Sequence, residues 1–252
     1  MSSSDVALSR PDEGGGNGHG GGGGDGHGHD PHLAHHFDSM DQQNHAIRLG
    51  MWLFLGTEVL LFAGLFLGYS VYRHFYHPAF HAASQLLSLP MGTVNTLVLI
   101  SSSFTVAMAY YSVKQGRNRT AIGLLVFTIL CAITFLVIKA FEYRAKFEEG
   151  LLPGQWFHPH LGEGEAPAHA VHAIQALQQL PGGNLFFSVY FLATGLHAFH
   201  VIVGMTVLLW VLKRLIRGEF SPTYYIAVEL GGLYWHLVDL VWIFLFPLLY
   251  LI

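Results

Sequence analysis

The stretch NLFFSVYFLATGLHAFHVIVGMTVLLWVL, Asn184–Leu212, runs without a single Asp, Glu, Lys or Arg and is closed by Lys213 and Arg214. A helix needs roughly 20 apolar residues to cross about 30 Å of hydrocarbon, and this stretch exceeds that length. A lone strand could not satisfy its backbone in lipid, so the segment reads as a helix. Four more segments share its character, at 49–72, 91–114, 120–142 and 224–252. None of them is short with alternating polarity, as the strands of an outer-membrane barrel are. The sequence predicts an all-α fold, a polytopic membrane bundle of five transmembrane helices.

Composition agrees with that reading. The 252 residues are 52% hydrophobic and only 11% charged, with a mean hydropathy of +0.42. Soluble domains carry about 25% charged residues, so a normal solvated surface is missing. Acidic and basic counts of 16 and 12 nearly balance, which gives no pull towards nucleic acid. Cys131, the single cysteine, excludes an internal disulfide and any two-cysteine metal site, and reads as a small core residue.

Residues 1–45 are different material. Gly14 to Gly28 is dominated by glycine, and His19, His27, His29, His32, His35, His36 and His45 punctuate the stretch. Such a composition buries too little apolar surface to offset backbone entropy, so a disordered tail is expected, followed by a membrane domain at 46–252. The imidazoles invite adventitious metal binding, but glycine supplies no fixed geometry for a specific site. No apolar core of a secretory signal occurs in the first forty residues, and insertion is expected to depend on the internal segments.

Loop charge sets the expected orientation. If the spans alternate, Arg10, Arg48, Lys114, Arg117, Arg119, Lys213, Arg214 and Arg217 share one side, against Arg73, Arg144 and Lys146 on the other. The positive-inside rule places the N-terminus in the cytoplasm and, after five crossings, the C-terminus outside. The outer loops are then 73–90 and 143–183, the second with an amphipathic segment around Ala168–Leu180.

Ionisable residues at bilayer depth are expensive, so each is a candidate for function, weighed against simple hydrogen bonding between helices. Glu58 lies about 14 Å into its span at 1.5 Å per residue. It reads either as a proton, lipid or subunit contact, or as a neutral carboxyl bonded across helices. Gly64 and Gly68 form a small-xxx-small step on the same helix. Asn95 and Ser102, seven apart, share a face and are expected to bond between helices. Lys139 and Glu142 are three apart and can pair at a helix end, with Tyr143 and Arg144 extending the cluster. Thr194, His197, His200 and Gly204 make one stripe. Two histidines one turn apart cannot supply both axial ligands of a haem, so packing and hydrogen bonding are preferred there. Glu229, Gly232, His236 and Asp239 make another stripe, which suits either a mutually satisfied network or a proton relay.

At these residues a family likeness becomes specific. VELGGLYWHLVDLVWIFLFPLLY (Val228–Tyr250) resembles the last helix of subunit III of the haem–copper respiratory oxidases, the cytochrome c oxidase subunit 3 family. YFLATGLHAFHVIVG (Tyr190–Gly204) is similar to the preceding helix, with its Thr-Gly-x-His-x-x-His-Val core. TEVLLFAGLF (Thr57–Phe66), NTLVLISSSFTVAMA (Asn95–Ala109) and KAFEY (Lys139–Tyr143) match the remaining three in collinear order. The longest family members have seven spans; here the first pair is replaced by the Gly/His tail. That is the five-helix form, which resembles the smaller subunit III of quinol oxidases and of some bacterial cytochrome oxidases.

The resemblance implies a non-catalytic subunit in the inner membrane of a bacterium. It implies catalytic subunit I and subunit II as partners, with haem and copper held by them and phospholipid bound here. Glu58, Glu142, His197, His200, Glu229, His236 and Asp239 become the candidates for proton, lipid or subunit contact, with no catalytic or metal-ligating residue. The sequence agrees, having no CxxCH and no cysteine pair. Alternatives are subunit III of a quinol oxidase and the accessory subunit of a nitric oxide reductase. A standalone transporter would call for internal repeats or broken helices, which are absent from the sequence.

Overall fold

A computed structural model describes residues 39–160, 168–222 and 224–252. Its compact unit Asn44–Ile252 holds the membrane bundle. Seven α-helices occur among the described residues: α1 (Met40–Phe75), α2 (His77–Ser84), α3 (Leu89–Lys114), α4 (Asn118–Glu148), α5 (Ala168–Gln179), α6 (Gly183–Ile216) and α7 (Ile226–Tyr250). Five of them, α1, α3, α4, α6 and α7, are long and apolar enough to cross a membrane. Four of them contain their expected segments and extend past them, whereas α7 stops two residues short of 224–252 at each end. α1 already begins at Met40, so His45 is helical; the rest of the segment expected to be a tail, 1–38, lies outside the described residues.

Four helices close a ring, in which α3 packs on α4, α4 on α6, α6 on α7, and α7 back on α3. The short α3–α4 link is made by Gly116, whose φ of +72° lets the chain reverse. The N–H of Arg117 returns to the carbonyl of Ser112 at 2.9 Å and closes the end of α3. With the helices alternating, that link and the α6–α7 link share one end of the bundle, together with the Arg48 end of α1. The α5 end is opposite.

The ring is tight where small residues sit. A Cβ on Gly204 of α6 would come within 2.9 Å of the Trp235 ring of α7, so glycine is what lets that ring approach the α6 backbone so closely. Trp235 and Trp242 are fully buried, as are Phe135, Phe186, Phe187 and Tyr190, and the Phe135 ring stands 4.9 Å from that of Trp242. Large apolar side chains such as Leu53, Leu60, Leu67, Phe104 and Leu130 point outwards instead. This is the pattern expected when hydrocarbon is the solvent, since lipid offers helices no hydrophobic force to bury such groups.

α2 is an addition to the sequence reading, which left 73–90 as a loop. Pro78 suits the first turn of a helix, and Phe80, Ala82 and Ala83 are buried. α5 falls where the amphipathic segment was expected, with Ala173, Ile174 and Leu177 buried, and α2 packs against both α5 and α6.

Candidate functional site

Polar groups gather at three levels of the bundle. Towards the α5 end, α4 presents Lys139 and Glu142 inwards, 3 residues apart and joined at 3.0 Å. Lys139 Nζ also donates to Tyr250 at 2.7 Å and lies 3.4 Å from the hydroxyl of Tyr190. Tyr190 in turn donates to Glu142 at 2.9 Å, and Tyr250 donates to the same carboxylate oxygen. The rings of Tyr190, Trp242 and Tyr250 stand 5.2, 4.9 and 5.3 Å from the ammonium. Such contacts strengthen when desolvated. Lys139 and Glu142 are 4% and 1% exposed, so the pair belongs to the core of the bundle rather than to a helix end at the interface. Tyr143 bonds Thr194 at 2.5 Å, whereas Arg144 pairs outwards with Glu148 and takes no part.

At mid-depth, Asp239 of α7 accepts from Ser102 of α3 at 3.3 Å, and Ser102 accepts from the Trp235 indole at 3.1 Å. Ser103 meets His236 Nδ1 at 2.7 Å. Between this level and the lysine, His197 is wholly buried against Phe135 and Trp242, at ring distances of 5.4 and 5.2 Å. Neither of its nitrogens, nor the amide of Asn95, has a hydrogen-bond partner among the described residues. Asn95 therefore faces the core as its spacing implied, without the interhelical bond expected of it.

The third level ties α1 to the ring. Glu58 meets His200 Nε2 at 2.9 Å, and Arg48 pairs with Glu229 at 2.9 Å. The stripe Glu229, His236 and Asp239 is thus not a network of its own. Glu229 bonds Arg48 of α1, while His236 and Asp239 bond the adjacent serines Ser103 and Ser102 of α3. His197 and His200 likewise diverge, one towards Trp242 and the other towards Glu58. Among the described residues no three His, Cys, Asp or Glu side chains gather as a metal site would require.

Periodicity found the inward residues but not their partners. Tyr190 and Tyr250 carried no ionisable signal, and Arg48 was counted only as a loop charge. The one available clue was depth, since both tyrosines lie on their helices at the level of Lys139.

A family model described as cytochrome c oxidase subunit III matches residues 33–149 and 180–252. The chain belongs to the cytochrome c oxidase subunit III family. Among curated proteins, cytochrome c oxidase subunit 3 of Tetraodon nigroviridis is 32% identical over 216 residues, covering 81% of this chain and 69% of that protein. The Drosophila melanogaster protein is 30% identical, with 81% of this chain and 68% of that protein covered. The Gallus gallus protein is 28% identical, with 86% and 72% covered. All three levels of polar contact lie inside the matched residues, so the site belongs to the subunit III bundle. The break at 150–179 falls on the loop and α5, which the family match does not span.

Proposed function

We propose that this chain is the non-catalytic subunit III of a haem–copper terminal oxidase in aerobic respiratory electron transport and proton translocation. It would bind catalytic subunit I beside subunit II, with haem and copper in those partners, and hold phospholipid at its apolar faces. The observation that carries the reading is the match of all five spans to the family, together with the inward position of the quoted polar motifs. The relatives are named for cytochrome c oxidase, which favours cytochrome c over quinol as the electron source. The setting would be the inner membrane of a bacterium, and loop charge supports an N-terminus on its cytoplasmic side. The wide lipid-facing surface of α1, with only 11% of its apolar window buried, suits contact with both lipid and a larger partner.

The experiment is an affinity pull-down of the tagged chain from membranes in mild detergent, followed by an optical spectrum and partner identification by mass. Haem bands together with a many-span catalytic subunit are expected. Recovery of the intact chain with neither would overturn the reading.

A further inference from the structure

Four alternating charges climb the inner face of α4 and the residue that caps its end. Lys139, Glu142, Lys146 and Glu149 follow at steps of three and four, one helical face from core to surface. The side chains of the first three are 5%, 1% and 6% exposed, and that of Glu149 is 27% exposed. Lys146 donates to Glu149 at 2.7 Å and to the carbonyl of Leu86 at 2.6 Å. A single hydrogen-bonded pair would fasten two helices. A run of ions leading inwards needs another account, because the cost of dehydrating each ion is several kcal/mol.

The account lies beside the ladder. A cavity of about 680 Å³ is lined by Glu142, Ala145 and Lys146 of α4, by Glu149 just past its end, by Tyr250 of α7 and by His169 of α5, with residues 84–91 from the end of α2 to the start of α3 closing one wall. Every rung above Lys139 therefore borders open space, and Tyr250 connects that space to Lys139. Below the lysine, across Trp242, lies His197 with two unpartnered nitrogens. The wall is apolar for the most part, but Glu142, Lys146, Glu149, His169 and Tyr250 give water several polar partners, in a cavity far larger than the roughly 30 Å³ share of one water.

We propose that the cavity is an aqueous vestibule through which the Lys139–Glu142–Tyr250 cluster trades protons with bulk water at the α5 end of the bundle. Glu149 and Lys146 form the mouth and Lys139 the inner stop. Over one exchange a water delivers a proton as another proton leaves to water, so the charge of the cluster is unchanged. The inference rests on residues of this chain alone and is read without oxidase turnover, so it stands or falls separately from the function proposed above.

The test has two parts, both on the full chain in its native membranes. The first places single cysteines at Ala145 and Leu87, which line the cavity, and at Phe141, which is 63% exposed on the lipid face. A negatively charged, membrane-impermeant methanethiosulfonate is applied, and labelled peptides of this chain are counted by mass, which keeps Cys131 and partner thiols apart. Thiolate chemistry needs water, so Ala145→Cys and Leu87→Cys are expected to react at least roughly ten-fold faster than Phe141→Cys. Ala145→Cys is the milder change and decides the result if Leu87→Cys fails to assemble. The second part follows the phenol O–H mode of Tyr250 by infrared spectroscopy on transfer to D₂O, assigned by its loss in Tyr250→Phe. Exchange is expected to be complete before the helix amides exchange. Equal labelling at lining and lipid positions, as a lipid-filled cavity would give, overturns the proposal. So does a Tyr250 mode that stays protonated.

Discussion

Helix α1 and helix α7 are both apolar enough to span a bilayer, yet 11% of the apolar window of α1 is buried within the chain against 50% for α7. Mean hydropathy over those windows is 1.8 and 1.6, so it does not separate them. What separates them is the polar inventory. α7 carries Trp235, His236, Asp239, Trp242 and Tyr250, each bonded to α3 or α4. α1 reaches the ring through Glu58 to α6 and Arg48 to α7, supported by ring contacts such as Phe54 on Tyr234 and Phe62 on His200. Hydropathy therefore marks a helix as membrane-spanning, while hydrogen-bonding side chains decide its neighbours.

The largest effect should come from the densest of these contacts. Replacing Lys139 by Met leaves the Glu142 carboxylate buried without its cation, a loss of about 3–5 kcal/mol. The double replacement Lys139→Met with Glu142→Leu removes both charges and should recover most of that loss, since apolar pairs often match buried ion pairs. Thermal unfolding of the purified complex, read as a double-mutant cycle, checks this. A Lys139→Met variant as stable as the parent would show that the core does not depend on the pair.

A smaller contrast separates two glycines. Gly204→Ala drives a methyl into Trp235 at 2.9 Å and should cost about 1–3 kcal/mol. Gly64→Ala on α1 meets nothing within 4 Å and should change stability by less than about 1 kcal/mol, in the favourable direction of helix propensity. Among the described residues, the small-xxx-small step at Gly64 and Gly68 brings no other helix close. If Gly64→Ala destabilises the assembled complex but not the isolated subunit, a partner's helix is what approaches there. The same thermal measurement on both forms decides it.

The five spans were legible because hydrocarbon thickness imposes a length that composition cannot hide. The inward faces were legible too, since steps of three and four placed His197, His200 and Asp239 together with Gly204 and Gly232. Partners were not legible. A contact such as Lys139 to Tyr250 joins residues 111 apart in sequence and depends on which helices are neighbours, which periodicity does not encode. α2 was missed for a related reason: eight residues with little apolar run are held by Phe80 against Tyr69 and Phe186, not by their own propensity.

The smallest effect tests whether α1 is tethered where its few polar groups say. His200 Nε2 meets Glu58 at 2.9 Å with both side chains mostly buried, at 10% and 16% exposure. Interhelical polar contacts in lipid are worth about 0.6 kcal/mol on average, so Glu58→Leu should leave the fold intact and loosen only α1. Glu58→Gln keeps a hydrogen-bonding head and should loosen it less. Spin labels at exposed Leu60 and Ile202 would report α1 against α6, and a pair at Phe104 and Phe127 would report α3 against α4. In Glu58→Leu the first distance distribution should broaden while the second stays narrow. Broadening of both would mean that Glu58 supports the whole ring, and broadening of neither would mean that the apolar contacts of α1 suffice. Under the proposed function the same variant should also lose oxidase activity faster during turnover, because a helix that shifts on the ring shifts whatever partner rests on its outer face.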